Sequence, residues 1–283
     1  MSEAVVERGA PDGVRAILRR RAFDDAGIAL ALRFAERGAA VVARDAGETI
    51  GIALAHDSED ERYVGDLFVE PSYRGNGIGR RLLDTMLGGE SDRPRAMLLD
   101  VREPAMLALA FRLGMGLREP VVRFAGAMPR EEELAKMAAG EYRFAVESLD
   151  PEAHAFVLDE LDRATRATNR PADHAEFARA ATGHVFSLNG ESVGYAYVWP
   201  DGRVGPMACA SESYLVQILA YALVTLSRAH AATWCTMLVP GRNRRIARAS
   251  LRAGLRVAES FTIAGDAFAG DLSRYVGAHR LLF

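Results

Sequence analysis

The sequence has few of the residues that mark disulfide-rich or metal-binding proteins. Its 283 residues include only two cysteines, Cys209 and Cys235, which are too few for a disulfide framework and lack the spacing of a metal site. The six histidines are scattered, with no His-x-x-x-His pair. We therefore predict no metal, and we expect both cysteines to be small buried residues on strands.

Long apolar runs and a strong excess of one charge are also missing. The longest apolar stretch, YLVQILAYALVTL, is interrupted by Gln217 and falls short of the ~18 residues that span a bilayer. The first residues, MSEAVVERGAPDGVR, contain no apolar signal core. The net charge is −3 and the basic residues are dispersed, which does not favour nucleic-acid binding. We predict a globular, cytoplasmic protein with neither membrane nor nucleic-acid partners.

The sequence does contain an internal repeat. VVARDAGETIGIALA resembles VFSLNGESVGYAYV, FRLGMGLREP resembles LRAGLRVAES, and AVVERGAPD resembles FAVESLDPE, all in the same order. The alternative is chance similarity in an Ala- and Arg-rich chain. We interpret the repeat as two copies of one α/β unit, with a first domain at 1–128, a linker at 129–141 and a second domain at 142–283.

Hydrophobic periodicity predicts a similar element order in both copies. In the first copy it predicts helices at Asp12–Arg20, Gly27–Gly38, Gly79–Leu87 and Pro104–Leu113, and strands at Val41–Arg44, Thr49–Ala55, Tyr63–Val69, Ala96–Val101 and Leu117–Ala125. In the second it predicts helices at Pro151–Ala167, Tyr214–His230 and Asn243–Arg252, and strands near Val185 and Val193 and at Arg203–Ala210, Thr233–Val239 and Ala258–Ile263. This order indicates a mixed α/β fold, because it lacks the strict alternation of a doubly wound sheet.

One stretch, DLFVEPSYRGNGIGRRLLDTML, joins a strand to a helix through a glycine-rich loop. The loop reads Arg74-Gly75-Asn76-Gly77-Ile78-Gly79, and Arg80 follows at the start of the helix. Glycine allows φ > 0 and lets a ligand approach the backbone. The first helical turn adds unpaired N–H groups and a partial positive charge. The stretch therefore predicts a phosphate or pyrophosphate site.

Two other anion-binding loops fit this sequence less well. A Walker loop needs Lys followed by Ser or Thr, where this chain has Arg80-Arg81. A dinucleotide fingerprint needs Gly-x-Gly-x-x-Gly directly after a strand, with an acid about 20 residues later. Asp100 offers such an acid, but the third glycine comes one place early and four residues separate strand from loop. A glycine-rich turn with no ligand is the remaining alternative.

The segment VEPSYRGNGIGRRLL resembles the coenzyme A loop of the GNAT superfamily of N-acetyltransferases, with Arg74, Gly77 and Gly79 at the signature positions. The resemblance implies two tandem GNAT (acyl-CoA N-acyltransferase) folds and acetyl-CoA as co-substrate. It implies that strands four and five splay apart, and that the pantetheine arm follows the backbone between them. The implied acetyl-CoA-binding residues are Phe68, Val69, Arg74, Gly75, Asn76, Gly77, Ile78, Gly79 and Arg80.

The resemblance also implies that a primary amine of a small-molecule acceptor attacks the thioester directly. A strand N–H near Val69 would polarise the thioester carbonyl. The amine must lose a proton first, so a general base is expected. Asp66 and Tyr63 are the candidates; the alternative for Asp66 is a strand-end residue facing solvent. A terminal carboxylate at Phe283, tucked into an interdomain cleft, is a further candidate.

Several positions depart from the family pattern. Where many members place a tyrosine acid, four residues before the terminal glycine of the last helix, this chain has Ala110 and Ser250. The usual asparagine earlier on that helix is Glu103 in the first copy and is retained as Asn243 in the second. We predict Phe111 to be core. A non-catalytic acyl-CoA-binding or regulatory module therefore stays open as an alternative function.

The second copy lacks the glycine loop. Ser211-Glu212-Ser213 stands in its place, and Glu212 would repel a pyrophosphate. We predict that this copy is degenerate and does not bind acetyl-CoA productively. The oligomeric state is expected to be monomer or homodimer.

Overall fold

The computed structural model describes residues 4–9, 11–21, 25–36, 40–58, 60–88, 93–266 and 270–283. The chain divides into two compact units. Unit 1 contains residues 1–98, 105–116 and 264–266, and unit 2 contains 99–104, 117–263 and 267–283. The predicted mixed α/β class is confirmed by the strands and helices of both units.

Unit 1 carries a mixed, mainly antiparallel sheet covered by helices. Its elements are β1 (Val5–Arg8), α1 (Pro11–Arg20), α2 (Asp25–Glu36), β2 (Ala40–Asp45), β3 (Glu48–Asp57), β4 (Arg62–Val69), a 3-10 turn (Pro71–Tyr73), α3 (Ile78–Leu87), β5 (Arg95–Asp100) and α4 (Pro104–Arg112). Strands β1 to β4 pair antiparallel in chain order, and β5 joins β4 in parallel. Helix α3 buries Ile78, Leu82, Leu83 and Met86, which recur at helical spacing.

Unit 2 repeats this order and extends it at both ends. Its elements are β6 (Gly116–Ala127), α5 (Glu131–Ala138), β7 (Ala145–Ser148), α6 (Ala155–Arg166), α7 (Pro171–Ala180), β8 (Thr182–Leu188), β9 (Glu191–Val198), β10 (Val204–Cys209), α8 (Leu215–His230), β11 (Trp234–Pro240), α9 (Arg244–Arg252), β12 (Arg256–Gly265), β13 (Tyr275–Val276) and two short 3-10 turns (Leu272–Arg274 and Arg280–Leu282). One sheet runs β13-β10-β9-β8-β7, and β11 pairs antiparallel with β6.

A bulge at the same place in both units supports the repeat. In β4, Asp66 faces Leu54 and Val64 faces Ala55, which leaves Gly65 as an extra residue. In β10, Met207 faces Ala196 and Val204 faces Val198, which leaves one extra residue at Gly205-Pro206. Gly65 and Gly205 each stand four residues before the last residue of their strand, Val69 and Cys209. Positions in β4 and β10 can therefore be equated one by one.

The structure departs from the sequence predictions at several elements. The segment predicted as a linker contains α5, whose Leu134 is buried in the core of unit 2. Helix α7 was not predicted. The helix predicted from Pro151 begins at Ala155, after a turn in which Asp150 accepts the N–H of Glu152. Phe111, predicted as core, is 57% exposed because it lies on the outer side of α4, whereas Ala110 faces inward.

Two further predictions concern boundaries: the end of the second helix and the limits of the two domains. The predicted end of the second helix at Gly38 lies outside the described residues. The ranges 1–128, 129–141 and 142–283 stay a prediction about the extent of the repeat, whereas the compact units have the bounds given above. Within the described residues, no helix is long and apolar enough to cross a membrane.

Candidate functional site

The glycine loop between β4 and α3 owes its shape to two left-handed residues. Gly75 has φ +84° and Gly77 has φ +74°, a region that costs other residues roughly 1–2 kcal/mol. A Cβ built on either glycine would meet nothing within 4 Å. Both positions therefore need glycine for backbone conformation, and the space in front of them is open. At Gly79 a Cβ would make only ordinary contacts, 3.7 Å from Val69 Cγ2, so the fold itself does not require glycine there.

The backbone of this loop offers several hydrogen-bond donors. Among the described residues, none accepts a hydrogen bond from the N–H groups of residues 75–79. The first N–H bonded back into the turn is that of Arg81, which donates to the Gly77 carbonyl at 3.0 Å. Gly77 is the N-cap of α3 and has no side chain to cap it. Free N–H groups at the positive end of a helix form an anion site.

The side chains around the loop fix its base and add positive charge. Arg74 Nε donates to the Val69 carbonyl at 3.0 Å, which ties the loop to the end of β4. Asn76 Nδ2 donates to the Tyr73 carbonyl at 3.3 Å. Arg80 is exposed and pairs with Asp84 at 3.4 Å along its own helix. Ile78, 5% exposed, anchors the first turn of α3 in the core.

The strand that precedes the loop has an open edge. Strand β5 pairs with β4 only at Arg62, Tyr63 and Val64, so that from Gly65 onwards the two strands separate, as the resemblance implied. The N–H of Glu70 donates to the Ile50 carbonyl in β3. Because backbone groups alternate along a strand, those of Val69 face away from β3, toward the open edge. An extended ligand lying along this edge would find the Val69 N–H directed at it.

The two predicted proton-transfer residues lie on β4, on either side of the bulge. Asp66 is 6% exposed, and both its carboxylate oxygens accept hydrogen bonds from the Arg21 guanidinium, Oδ1 at 3.2 Å from Nη2. The alternative interpretation of Asp66 as a solvent-facing residue is therefore wrong, since a buried carboxylate is stable only with such a partner. Tyr63 is 2% exposed and lies near the start of β4, in the short segment that pairs with β5.

The position of the family tyrosine holds no acid. Ala110 is fully buried on α4, and its neighbour Leu109 faces Gly79, with Cδ2 3.8 Å from a Cβ built there. Phe283, the third candidate base, lies inside unit 2. Its backbone oxygen accepts a hydrogen bond from Arg166, and its ring packs edge-on against Tyr275 with centroids 5.5 Å apart.

In unit 2 the loop equivalent to the glycine loop is closed on itself. The Oγ atoms of Ser211 and Ser213 are 2.8 Å apart, and the Ser213 N–H donates to Ser211 Oγ at 3.3 Å. The N–H of Tyr214 donates to the Ser211 carbonyl. Glu212 lies 3.8 Å from Arg245. Two N–H groups of this loop, those of Ser213 and Tyr214, are thus satisfied internally.

The open edge of β10 is also filled, by a later part of the chain. Strand β13 pairs antiparallel with β10, with Val276 facing Met207 and Tyr275 facing Ala208. On its other side, Gly277 exchanges two backbone hydrogen bonds of 2.8 Å with Leu238 of β11. By the bulge alignment, Met207 and Ala208 correspond to Leu67 and Phe68 of β4. The gap that is open beside β4 is therefore occupied beside β10.

A buried ionic cluster lies near this segment in unit 2. Asp162 accepts hydrogen bonds from Arg170 Nε at 2.9 Å and from the Tyr195 hydroxyl, and its Oδ2 lies 3.0 Å from His174 Nε2. Burial acts to raise the pKa of Asp162, but the charges of Arg170 and His174 outweigh it and hold the pKa well below 3.8. The cluster therefore depends on an ionised carboxylate.

Sequence reasoning did not find three of these features. The role of Arg21 was hidden in the run Arg19-Arg20-Arg21, where nothing distinguishes one arginine from the next. The bulge could have been suspected from Gly65, an isolated glycine within a strand pattern. Pairing of Tyr275 with β10 follows from tertiary structure alone.

Comparisons with known proteins bear on this geometry. Residues 36–109, which include the loop, match the family described as acetyltransferase (GNAT) domain. Residues 36–109 are a GNAT domain. A mycothiol acetyltransferase from Clavibacter sepedonicus is 32% identical over 120 residues, 38% of this chain. The match spans only 38% of that relative's length.

Solved structures extend the likeness in fold to the rest of the chain. A tandem GNAT protein from the clavulanic acid biosynthesis pathway has a TM-score of 0.64 at 17% identity, over 95% of this chain and 99% of its own. A protein from Pyrococcus horikoshii described as a candidate acetyltransferase has a TM-score of 0.76 at 12% identity, over 100% of this chain and 97% of its own. The fold is therefore that of tandem GNAT proteins, with the GNAT domain in the first repeat.

The described residues contain no group of three or more His, Cys, Asp or Glu side chains placed to hold a metal ion. Cys209 and Cys235 are buried and unpaired on β10 and β11, as predicted from the sequence. Burial raises the pKa of the Cys235 thiol to about 12 and that of Cys209 further.

Proposed function

We propose that the protein transfers an acetyl group from acetyl-CoA to a primary amine of a small-molecule acceptor, using the GNAT domain. The observation that carries the proposal is the combination of free N–H groups at residues 75–79 with the open edge of β4 beside them. In this assignment the loop N–H groups and the exposed Arg74 and Arg80 hold the pyrophosphate. The pantetheine arm lies along Phe68 and Val69 as an added strand, held through the Val69 backbone, which faces the open edge.

The chemistry follows from the same edge. The Val69 N–H donates to the thioester carbonyl oxygen and stabilises the charge that develops there during attack. The amine attacks after losing a proton, for which Asp66 and Tyr63 are the proposed acceptors. A new C–N bond forms as the C–S bond breaks, and the leaving thiolate takes up a proton. Ala110 provides no acid for that last step, so we assign the proton to Tyr63 or water.

We further propose that unit 2 does not bind acetyl-CoA. The closed Ser211–Ser213 turn supports this, because the N–H groups of Ser213 and Tyr214 and the two serine hydroxyls bond within it. The pairing of β13 with β10 supports it independently, because a segment of the chain takes the place that pantetheine takes on β4. Degeneracy of the second repeat thus has a physical basis in both halves of the site.

A thiol-release assay tests the proposed function. The protein is incubated with acetyl-CoA and a panel of primary amines, and free coenzyme A is followed with a thiol reagent. We expect acceptor-dependent release in the wild type and a large loss in Asp66→Asn. The exposed Glu132→Gln serves as the control, since Glu132 lies on α5 in unit 2 and pairs with Lys136 of the same helix. Release that is unchanged by Asp66→Asn would assign the base elsewhere.

A non-catalytic acyl-CoA-binding module is the second candidate. The buried Ala110, where many family members have tyrosine, favours it. Acetyl-CoA binding without thiol release across a broad amine panel would support this candidate over the transferase.

A further inference from the structure

The ion pair of Arg21 and Asp66 borders the open edge of β4. Arg21 follows α1 and donates to both carboxylate oxygens of Asp66. Its guanidinium also lies over the Phe68 ring, 4.2 Å from the centroid. The side chains of Arg21 and Asp66 are only 14% and 4% exposed, so water screens the pair weakly.

The pair lies on one defined face of the strand. Side chains alternate along β4, so Asp66 and Phe68 share the face covered by Arg21. Val69 points to the other face, where its Cγ2 is near Gly79 of α3. Asp66 directly follows the bulge at Gly65, where β4 parts from β5. An acceptor reaching a thioester at the Val69 N–H from the α1 face would meet Asp66 and Arg21 first.

This arrangement poses a chemical problem for the proposed reaction. A carboxylate that accepts two hydrogen bonds from a guanidinium is stabilised in its charged form and is a poor proton acceptor. Separating two buried opposite charges costs free energy. That cost falls when the substrate supplies both a cation for Asp66 and an anion for Arg21.

We propose that the acceptor is an amine with a carboxylate beside the reacting nitrogen, as in an α-amino acid. This inference rests on the proposed acetyltransferase function. The ammonium group takes the place of Arg21 on Asp66, and the substrate carboxylate takes the place of Asp66 on Arg21. Each buried charge keeps an opposite partner throughout, and Arg21 is drawn away from the carboxylate that must accept a proton.

The proton balance is then complete. The ammonium gives one proton to Asp66 and becomes a neutral amine. Its nitrogen bonds to the acetyl carbon as the C–S bond breaks, and the nitrogen loses a second proton as the amide forms. One of the two protons goes to the coenzyme A thiolate and the other to solvent. The products are an N-acetyl amino acid, coenzyme A and one released proton. Arg21 is a positioning and specificity residue in this scheme.

The test compares acceptors that differ only in the carboxylate. Wild type, Arg21→Gln, Arg21→Lys and the control Arg19→Gln are assayed with acetyl-CoA and the standard amino acids, each beside its C-terminal amide. Arg19 is exposed on the last turn of α1, two residues before Arg21. The readout is the ratio of kcat/KM for an amino acid to kcat/KM for its amide. Differences in intrinsic amine reactivity cancel when this ratio is compared between variants.

We expect Arg21→Gln to lower this ratio by roughly tenfold or more, the value of a charge-assisted hydrogen bond, with a smaller decrease in Arg21→Lys and none in Arg19→Gln. An unchanged ratio in Arg21→Gln would overturn the inference. If Arg21→Gln does not fold, the wild type decides. Thiol release with amides or other neutral amines but with no amino acid would overturn the inference and leave the acetyltransferase function intact. No thiol release with any amine would contradict both.

Discussion

Replacing Gly77 with valine tests the proposed role of the loop, because its effect on folding stability can be separated from its effect on acetyl-CoA binding. A side chain at Gly77 meets nothing within 4 Å, so the protein itself offers no clash. The residue must keep φ near +74°, which costs the folded state roughly 1–2 kcal/mol. Gly190 offers a matched control, because it has φ +86° and nothing within 4 Å, and it lies in the β8–β9 turn of unit 2.

The ligand effect should be larger than the conformational one. The valine side chain would occupy the space assigned to the pyrophosphate and displace it from at least two N–H donors. Charge-assisted hydrogen bonds contribute roughly 1.5–3 kcal/mol each, so binding should weaken by about 100-fold or more. At a concentration 100 times Kd, acetyl-CoA stabilises the wild type by about 2.7 kcal/mol. The same concentration would stabilise Gly77→Val by about 0.4 kcal/mol or less.

Thermal unfolding with and without acetyl-CoA measures both effects. Without ligand, Gly77→Val and Gly190→Val should each lower Tm by a few degrees, at about 2–4 °C per kcal/mol. With ligand, Gly190→Val should keep the full rise in Tm seen in the wild type, and Gly77→Val should lose nearly all of it. An acetyl-CoA-induced rise that survives in Gly77→Val would refute the assignment of the loop.

Two further predictions concern unit 2. Because the pKa of Asp162 is depressed in the folded state, its ion pairs stabilise the fold fully above the unfolded pKa of about 3.9 and lose this effect as the pH falls below it. Urea unfolding should therefore show Asp162→Asn less stable than wild type by about 3–5 kcal/mol near pH 7, with a smaller gap below about pH 4; a gap that widens in acid would contradict this. Burial raises the pKa of the Cys209 and Cys235 thiols. Neither thiol should therefore react with Ellman's reagent at pH 8 until urea unfolds the protein. Rapid labelling of the native protein would contradict this, because it would place at least one thiol on an accessible surface.

The sequence predicts those parts of the molecule that local chemistry determines. The glycine loop is one such part, since left-handed φ values and a helix start are encoded within Arg74–Arg80. The helices predicted at Gly79–Leu87 and Tyr214–His230, which have clear apolar spacing, lie within one residue of the observed bounds of α3 and α8. The repeat was visible because the β2–β3 and β8–β9 hairpins keep similar turns.

Contacts between residues distant in sequence could not be predicted from local sequence patterns. Asp66 interrupts the apolar run of β4, which makes it a candidate base from the sequence alone. Its partner Arg21 comes from the end of another element, and no local rule distinguishes it from the two arginines before it. Phe111 was misassigned because apolar character alone does not say which side of α4 faces inward. Strand β13 is two residues long and is a strand only because β10 has an edge free to pair with it.

Isothermal titration of the wild-type protein with acetyl-CoA tests the central claim most directly. The free N–H groups of the first loop, together with the closed turn and occupied edge of unit 2, predict one acetyl-CoA bound per chain. A stoichiometry of two would contradict the account of unit 2, and the absence of binding heat together with an unchanged Tm would contradict the account of the glycine loop itself.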